Sequence, residues 1–126
     1  MTETVILFRA VGEAERLLIE QSTFTAFPPR LSGQPIFYPV CNREYADQMA
    51  RDWNTKDPRT GLPDGRKGYV TRFHVRQAFL DRYEVHQVGG PVHKEYWIPA
   101  EELPDFNVNI VGPIEVVAEF GGPKPP

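Results

Sequence analysis

Proline recurs through this chain often enough to rule out an architecture of long helices. Thirteen prolines join ten glycines in 126 residues, together roughly 18% of the chain where ~12% is usual. Proline removes a backbone donor and fixes φ, while glycine loosens the backbone, so both end regular elements. Short strands, short helices and many turns are expected. The 8 Phe, 5 Tyr and 2 Trp, within a 40% hydrophobic complement, give such pieces a core that a disordered chain lacks. One domain is expected at this length, over residues 1–120, with 121–126 a flexible tail.

The formal net charge of −3 gives no general nucleic-acid footprint. A lone cysteine, Cys41, excludes a disulfide framework within the chain and a four-cysteine zinc site, and favours a reducing compartment. Met1-Thr2-Glu3-Thr4 lacks the basic and apolar regions of a signal peptide. No apolar run approaches the ~18 residues of a membrane span. A cytoplasmic domain away from membranes is the expectation.

Val5-Ile6-Leu7-Phe8 reads as a buried strand ending at Arg9. Ala14, Leu17, Leu18 and Gln21 then fall at helical spacing, predicting a helix from Gly12 to about Ser22. Residues 23–27 and 35–38 are strand candidates, the second edge-like because of its prolines. Asn42 is a good N-cap for a helix whose Tyr45, Ala46, Met49, Ala50 and Trp53 share one face. Residues 54–67 carry turn formers and little apolar surface, which predicts a mobile surface loop. Tyr69, Thr71, Phe73 and Val75 alternate with polar neighbours as a half-buried strand does. Residues 77–82 read as a helical turn. Strands at 83–88 and 93–98 flank Gly89-Gly90-Pro91-Val92, a hairpin signal. A helical turn follows from Pro99 to Leu103, and strands at 109–111 and 113–120 close the chain. Early helices followed by late strands predict an α+β fold, with the short helices mainly in the N-terminal half.

A four-residue hairpin turn makes paired positions sum to 181, which places His86 opposite Glu95 and Glu84 opposite Trp97. A His–Glu pair in cross-strand contact tunes both groups or orients a substrate hydroxyl, and it equally serves as an exposed polar pair. Glu95 lies within His93-Lys94-Glu95-Tyr96-Trp97-Ile98-Pro99, where a carboxylate is unfavourable unless it faces solvent or a cleft. Ordinary strand alternation accounts for it as well. Arg9 offers a fork suited to phosphate or carboxylate, or a rim ion pair. Tyr38 is either a stacking platform or core. His74, His86 and His93 have no metal-ligand spacing. Cys41 has no reactive-cysteine signature, and the dinucleotide, P-loop, zincin and hydrolase motifs are absent.

Phe8-Arg9-Ala10-Val11 before a helix, Ile36-Phe37-Tyr38-Pro39-Val40 leading into a helix, and Glu95-Tyr96-Trp97-Ile98-Pro99 together resemble small bacterial ADP-ribosyltransferase-like proteins, the group labelled "ADP-ribosylation/crystallin J1". The likeness spans about residues 5–120 in short motifs. It implies a two-sheet fold with NAD, as substrate, in the cleft between the sheets. It also implies that Arg9 holds the phosphate or ribose of NAD and that Tyr38 stacks near the nicotinamide, with Phe37 and Tyr45 beside it. Glu95, with His86 as a second catalytic candidate, would stabilise the cationic transition state. Where arginine-modifying members carry Glu or Gln, two residues before the catalytic Glu, this chain has His93. The acceptor of ADP-ribose therefore stays open. A binding module on the same fold without turnover is the alternative.

Overall fold

The computed structural model describes residues 3–122, and its fold is mixed α and β. Strand β1 (Thr4–Gly12) leads into helix α1 (Glu13–Gln21), followed by a short strand β2 (Ile36–Phe37) and helix α2 (Arg43–Met49). The winding of α2 widens into a π-turn at Ala50–Asn54. Then come β3 (Lys67–Arg76), α3 (Gln77–Leu80), β4 (Val85–Gln87), β5 (Lys94–Tyr96), β6 (Ile98–Pro99), a 3-10 turn at Ala100–Glu102, α4 (Leu103–Val108) and β7 (Ile110–Gly121). The two longest helices lie in the N-terminal half, while α3 and α4 lie in the second. Among the described residues no helix is long and apolar enough to cross a membrane.

Strands β1, β3 and β7 form an antiparallel sheet in that order, with β3 central. Segment 39–41 extends its edge. Phe8 and Val40 exchange backbone hydrogen bonds of 2.9 and 2.8 Å, Cys41 N–H donates to the Lys94 carbonyl, and Tyr96 N–H donates to the Pro39 carbonyl. The β4–β5 hairpin is thereby attached beyond β1, and β2 and β6 pair separately. Paired positions run Glu115, Arg72, Phe8, Val40, Glu95 and His86 across the edge-to-edge array. Directly paired residues share a face, so all six belong to one side.

That side is covered by α2. Its core is Val40, Ala46, Ala50 and Val70, with Phe8, Ala10, Tyr45 and Met49 packed against them. The other side carries Leu7, Val11, Tyr69, Phe73 and Val75 under α1, α3, α4 and the β2–β6 pair. Phe27, Phe37, Phe73 and Phe106 interlock there at centroid separations of 4.8–6.5 Å. Edge-to-face and tilted rings of this kind add attraction beyond their buried area.

Several boundaries differ from the sequence expectation. Strand β1 does not end at Arg9 but continues to Gly12, because every residue through Gly12 is paired with β3. Residues 23–27 form no strand. Thr23 and Phe24 adopt left-handed backbone, φ +62° and +59°, and the Ser22 hydroxyl takes up the freed backbone groups by bonding to Ile19 O and Ala26 N. Proline at 35 and 39 confines β2 to two residues, since neither can donate to a ladder. Trp53 leaves the buried row of α2 and is 75% exposed, because the π-turn advances less per residue than an α-helix. Gly68 lets β3 pass close to that turn, as a Cβ there would lie 2.5 Å from Ala50 O.

The 54–67 segment is organised by a bridge between Lys56 and Pro63 and by a turn closed on the Asp57 carbonyl. The strands expected at 109–111 and 113–120 are one strand, β7, bent by two register shifts against β3. Gly121 closes that strand rather than opening a tail, and residues 123–126 of the expected tail lie outside the described residues.

Candidate functional site

Glu95 sits in the middle of β5 with 7% of its surface exposed. Its side chain turns toward α2, as the cross-sheet row requires. The Tyr45 hydroxyl donates to Oε1 at 2.7 Å, and the Trp97 indole N–H donates to Oε2 at 2.8 Å. Both donors are neutral, and no ion pair reaches Glu95 among the described residues. A buried carboxyl without a cation is costly unless its hydrogen bonds are made. Here each oxygen accepts one and keeps capacity for another.

Local sequence places those donors. Asn42 caps α2 by accepting the Tyr45 N–H at 2.8 Å, the capping geometry that favours Asn at this position. Its amide also bonds the Val92 carbonyl, tying the helix start to the hairpin. Trp97 stands two residues beyond Glu95 and so shares its face. Burial, then the bond to Glu95, raises the Tyr45 phenol above its ordinary value. It therefore stays a proton donor through the neutral and mildly alkaline range.

His93 is fixed beside this pair. Gly90 N–H donates to its Nδ1 at 3.1 Å, which leaves the ring proton on Nε2, 2.8 Å from Gln48 Oε1. Its ring lies 4.6 Å from that of Tyr45. Gly89 adopts φ +103°, and a Cβ there would come within 2.9 Å of His93 Nδ1. The double glycine therefore makes the close turn that the histidine closes.

Of the six residues marked from sequence, the structure gathers four at this place: Glu95, Tyr45, His86 and, from the side, Tyr38. The hairpin register pairs His86 with Glu95 as expected. The His86 ring nevertheless stacks flat on Trp97, 3.7 Å apart and 4° from parallel, instead of bonding Glu95. His86 therefore touches the indole that bonds Glu95 and not the carboxyl itself. Tyr38 joins from the side, its ring 6.4 Å from Trp97 and nearly perpendicular. Tyr38 and Trp97 are 41% and 40% exposed, so two partly exposed aromatic rings lie beside the buried Glu95 carboxyl, one face of Trp97 being covered by His86.

Arg9 and Phe37 are elsewhere. Arg9 alternates onto the opposite side of the sheet from Phe8 and Glu95. Its Nε and Nη2 hold Glu15 of α1 at 2.7 and 3.0 Å, and Arg30 bonds the same carboxylate at 3.2 Å. Both guanidinium groups face the Phe37 ring, at 4.5 and 5.3 Å. Phe37 is fully buried beneath them, which corrects its reading as a surface beside the ligand. Only Nη1 of Arg9 turns toward the Tyr38 side, 3.5 Å from that residue's carbonyl. Burial alone would raise the Glu15 carboxyl, but Arg9 and then Arg30 outweigh it and hold it below the usual range.

Trp97 was readable from alternation, since Glu95 and Trp97 share a strand face. Glu15, Arg30 and Gln48 gave no local signal, because their roles come from partners distant in sequence. Cys41 is half-buried, and burial pushes its thiol up, the opposite of an activated nucleophile.

Comparison of the chain with protein-family models, with curated proteins and with solved structures finds no match.

Proposed function

We propose that the protein binds NAD against Tyr38 and Trp97 and uses Glu95 to break the nicotinamide–ribose bond, passing ADP-ribose to an acceptor or to water. The observation that carries this reading is the Glu95 carboxyl, sunk between two neutral donors, one of them the partly exposed Trp97 whose ring meets that of Tyr38 edge-on. In the cleavage the C–N bond breaks with its electron pair going to the nicotinamide nitrogen, which relieves the ring's positive charge. The ribose is left as an oxocarbenium ion. A carboxylate whose charge is not spent on a lysine or arginine is suited to stabilise that cation. An acceptor hydroxyl, amine or water then adds to the ribose carbon and loses its proton.

The three segments that carry the family resemblance support the reading by adjacency. Strand β1 with Arg9, segment 38–40 leading into α2, and β5 with Glu95 lie hydrogen-bonded side by side. In this reading the smaller β2–β6 pair supplies the second sheet of an ADP-ribosyltransferase-like fold. Saturation-transfer NMR with NAD tests the binding. Transfer to the nicotinamide and adenine protons that saturates with NAD, and is lost in Tyr38→Ala, is expected. No transfer at millimolar NAD overturns the proposal.

One observation favours the second reading, a binding module without turnover. Arg9, the residue the resemblance assigns to the NAD phosphate or ribose, has two of its three nitrogens committed to Glu15. A ligand that shifts Trp97 without releasing nicotinamide would identify that case.

A further inference from the structure

We propose that the hollow beside Trp53 is a binding site for a cationic group, a guanidinium or an alkylated ammonium, independent of what Glu95 does. The hollow has a volume of about 390 Å³ and is lined by Tyr45, Gln48, Met49, Asp52, Trp53 and His93. Its chemistry is unbalanced. Two electron-rich rings and a soft thioether meet one carboxylate, and no lysine or arginine lines the space. Cations lie favourably over the faces of tryptophan and tyrosine, tryptophan most of all.

Trp53 is held out for contact. At 75% exposure it is tied with Val108 as the most exposed of the large hydrophobic residues described, ahead of Leu31 at 72%, and the π-turn that carries it is a feature found often at functional sites. An indole held in water keeps its ring available to a cation. Lys56 lines the adjoining hollow on the other side of Asp52 and Trp53, and Arg51 pairs with Asp52 at 3.2 Å while both are about half exposed. Such a pair is weak and yields to a better-placed cation. Both His93 ring nitrogens already have partners, Gly90 N–H at Nδ1 and Gln48 Oε1 at Nε2. The Tyr45 ring walls the hollow while its hydroxyl holds Glu95, so a bound cation sits one side chain away from the candidate catalytic carboxyl.

The chain has two tryptophans, so two indole N–H resonances report on the two places separately. Methylguanidinium and tetramethylammonium, titrated against ¹⁵N-labelled protein, are expected to move the Trp53 indole signal saturably. tert-Butanol, a neutral counterpart of similar shape, is expected not to. Asp52→Asn should weaken cation binding roughly three- to tenfold, and Trp53→Ala should abolish it, read from the Met49 methyl. Both positions are at the surface, so the melting temperature should hold. Equal binding of tert-butanol, a shift linear in cation concentration, or unchanged binding in Trp53→Ala overturns the proposal.

Discussion

The Tyr45 hydroxyl donates a 2.7 Å hydrogen bond to Glu95 Oε1, joining the first turn of α2 to the middle of β5. Burial and that bond both raise the phenol, so the donor persists wherever the protein is folded near neutrality. Tyr45→Phe keeps the ring against His93 and removes only the donor. It is expected to leave the fold intact and to lower NAD cleavage about tenfold, equivalent to one hydrogen bond of ~1.4 kcal/mol. Single-turnover nicotinamide release measures it, and an unchanged rate would separate Tyr45 from the reaction.

Trp97→Phe removes the second donor while keeping an aromatic face for His86. Stability should fall by only ~1 kcal/mol, because Trp97 is 40% exposed. The His86 ring resonances should stay shifted by the stacked neighbour, and nicotinamide release should drop. Trp97→Ala should return those resonances to solvent-like positions, which a ¹H–¹³C spectrum of the histidine rings will show.

Adjacent residues 37 and 38 should behave oppositely. Phe37 is fully buried among Phe27 and Phe106, and Phe37→Ala is expected to cost about 3–5 kcal/mol in chemical denaturation. Tyr38→Ala, at an exposed ring, should change stability by less than ~0.5 kcal/mol yet lose NAD binding. A large stability cost for Tyr38→Ala would assign that ring to the core.

Glu15 ties acid stability to the Arg9–Arg30 cluster. Its carboxyl is depressed in the folded state, so both folded and unfolded chains are ionised there at neutral pH, and the contribution is fully present. As the pH falls below the ordinary carboxylate range, the unfolded chain binds a proton first. The contribution then drains away as the pH falls through the depressed folded value. Glu15→Gln should cost ~3 kcal/mol at neutral pH, since two largely buried guanidinium groups lose their partner. The gap to wild type should narrow on acidification, read from urea midpoints at several pH values. A constant gap would remove Glu15 from the acid limb.

The elements legible in the sequence were those whose signals are local. Asn42 announced the start of α2, because a side-chain acceptor at an N-cap is a property of one residue. The hairpin register followed from loop length alone, and His86 does face Glu95. What the pairing could not reveal was the use of the contact. Both oxygens of Glu95 are taken by Tyr45 and Trp97, and His86 stacks on the indole. Competition among partners is decided in three dimensions.

Arg9 shows the other limit. Its place on a strand was readable, but the side of the sheet it occupies relative to Glu95 depends on segment 39–41 docking beside β1, a long-range event. The Arg9–Glu15–Arg30 cluster joins residues from β1, α1 and the proline-rich loop, and no spacing rule connects them. The α-helical period groups Trp53 on one face with Tyr45, Ala46, Met49 and Ala50, but the winding changes at Ala50 and turns Trp53 outward.

Nicotinamide release from NAD by wild type and Glu95→Gln tests the central claim most directly. The amide keeps an oxygen acceptor and nearly the same volume, so thermal unfolding and NAD binding by NMR should be close to those of wild type. Wild type is expected to release nicotinamide, and Glu95→Gln to do so at least roughly a hundredfold more slowly, the scale of one lost electrostatic stabiliser of the transition state. Equal release by the two proteins would contradict the account.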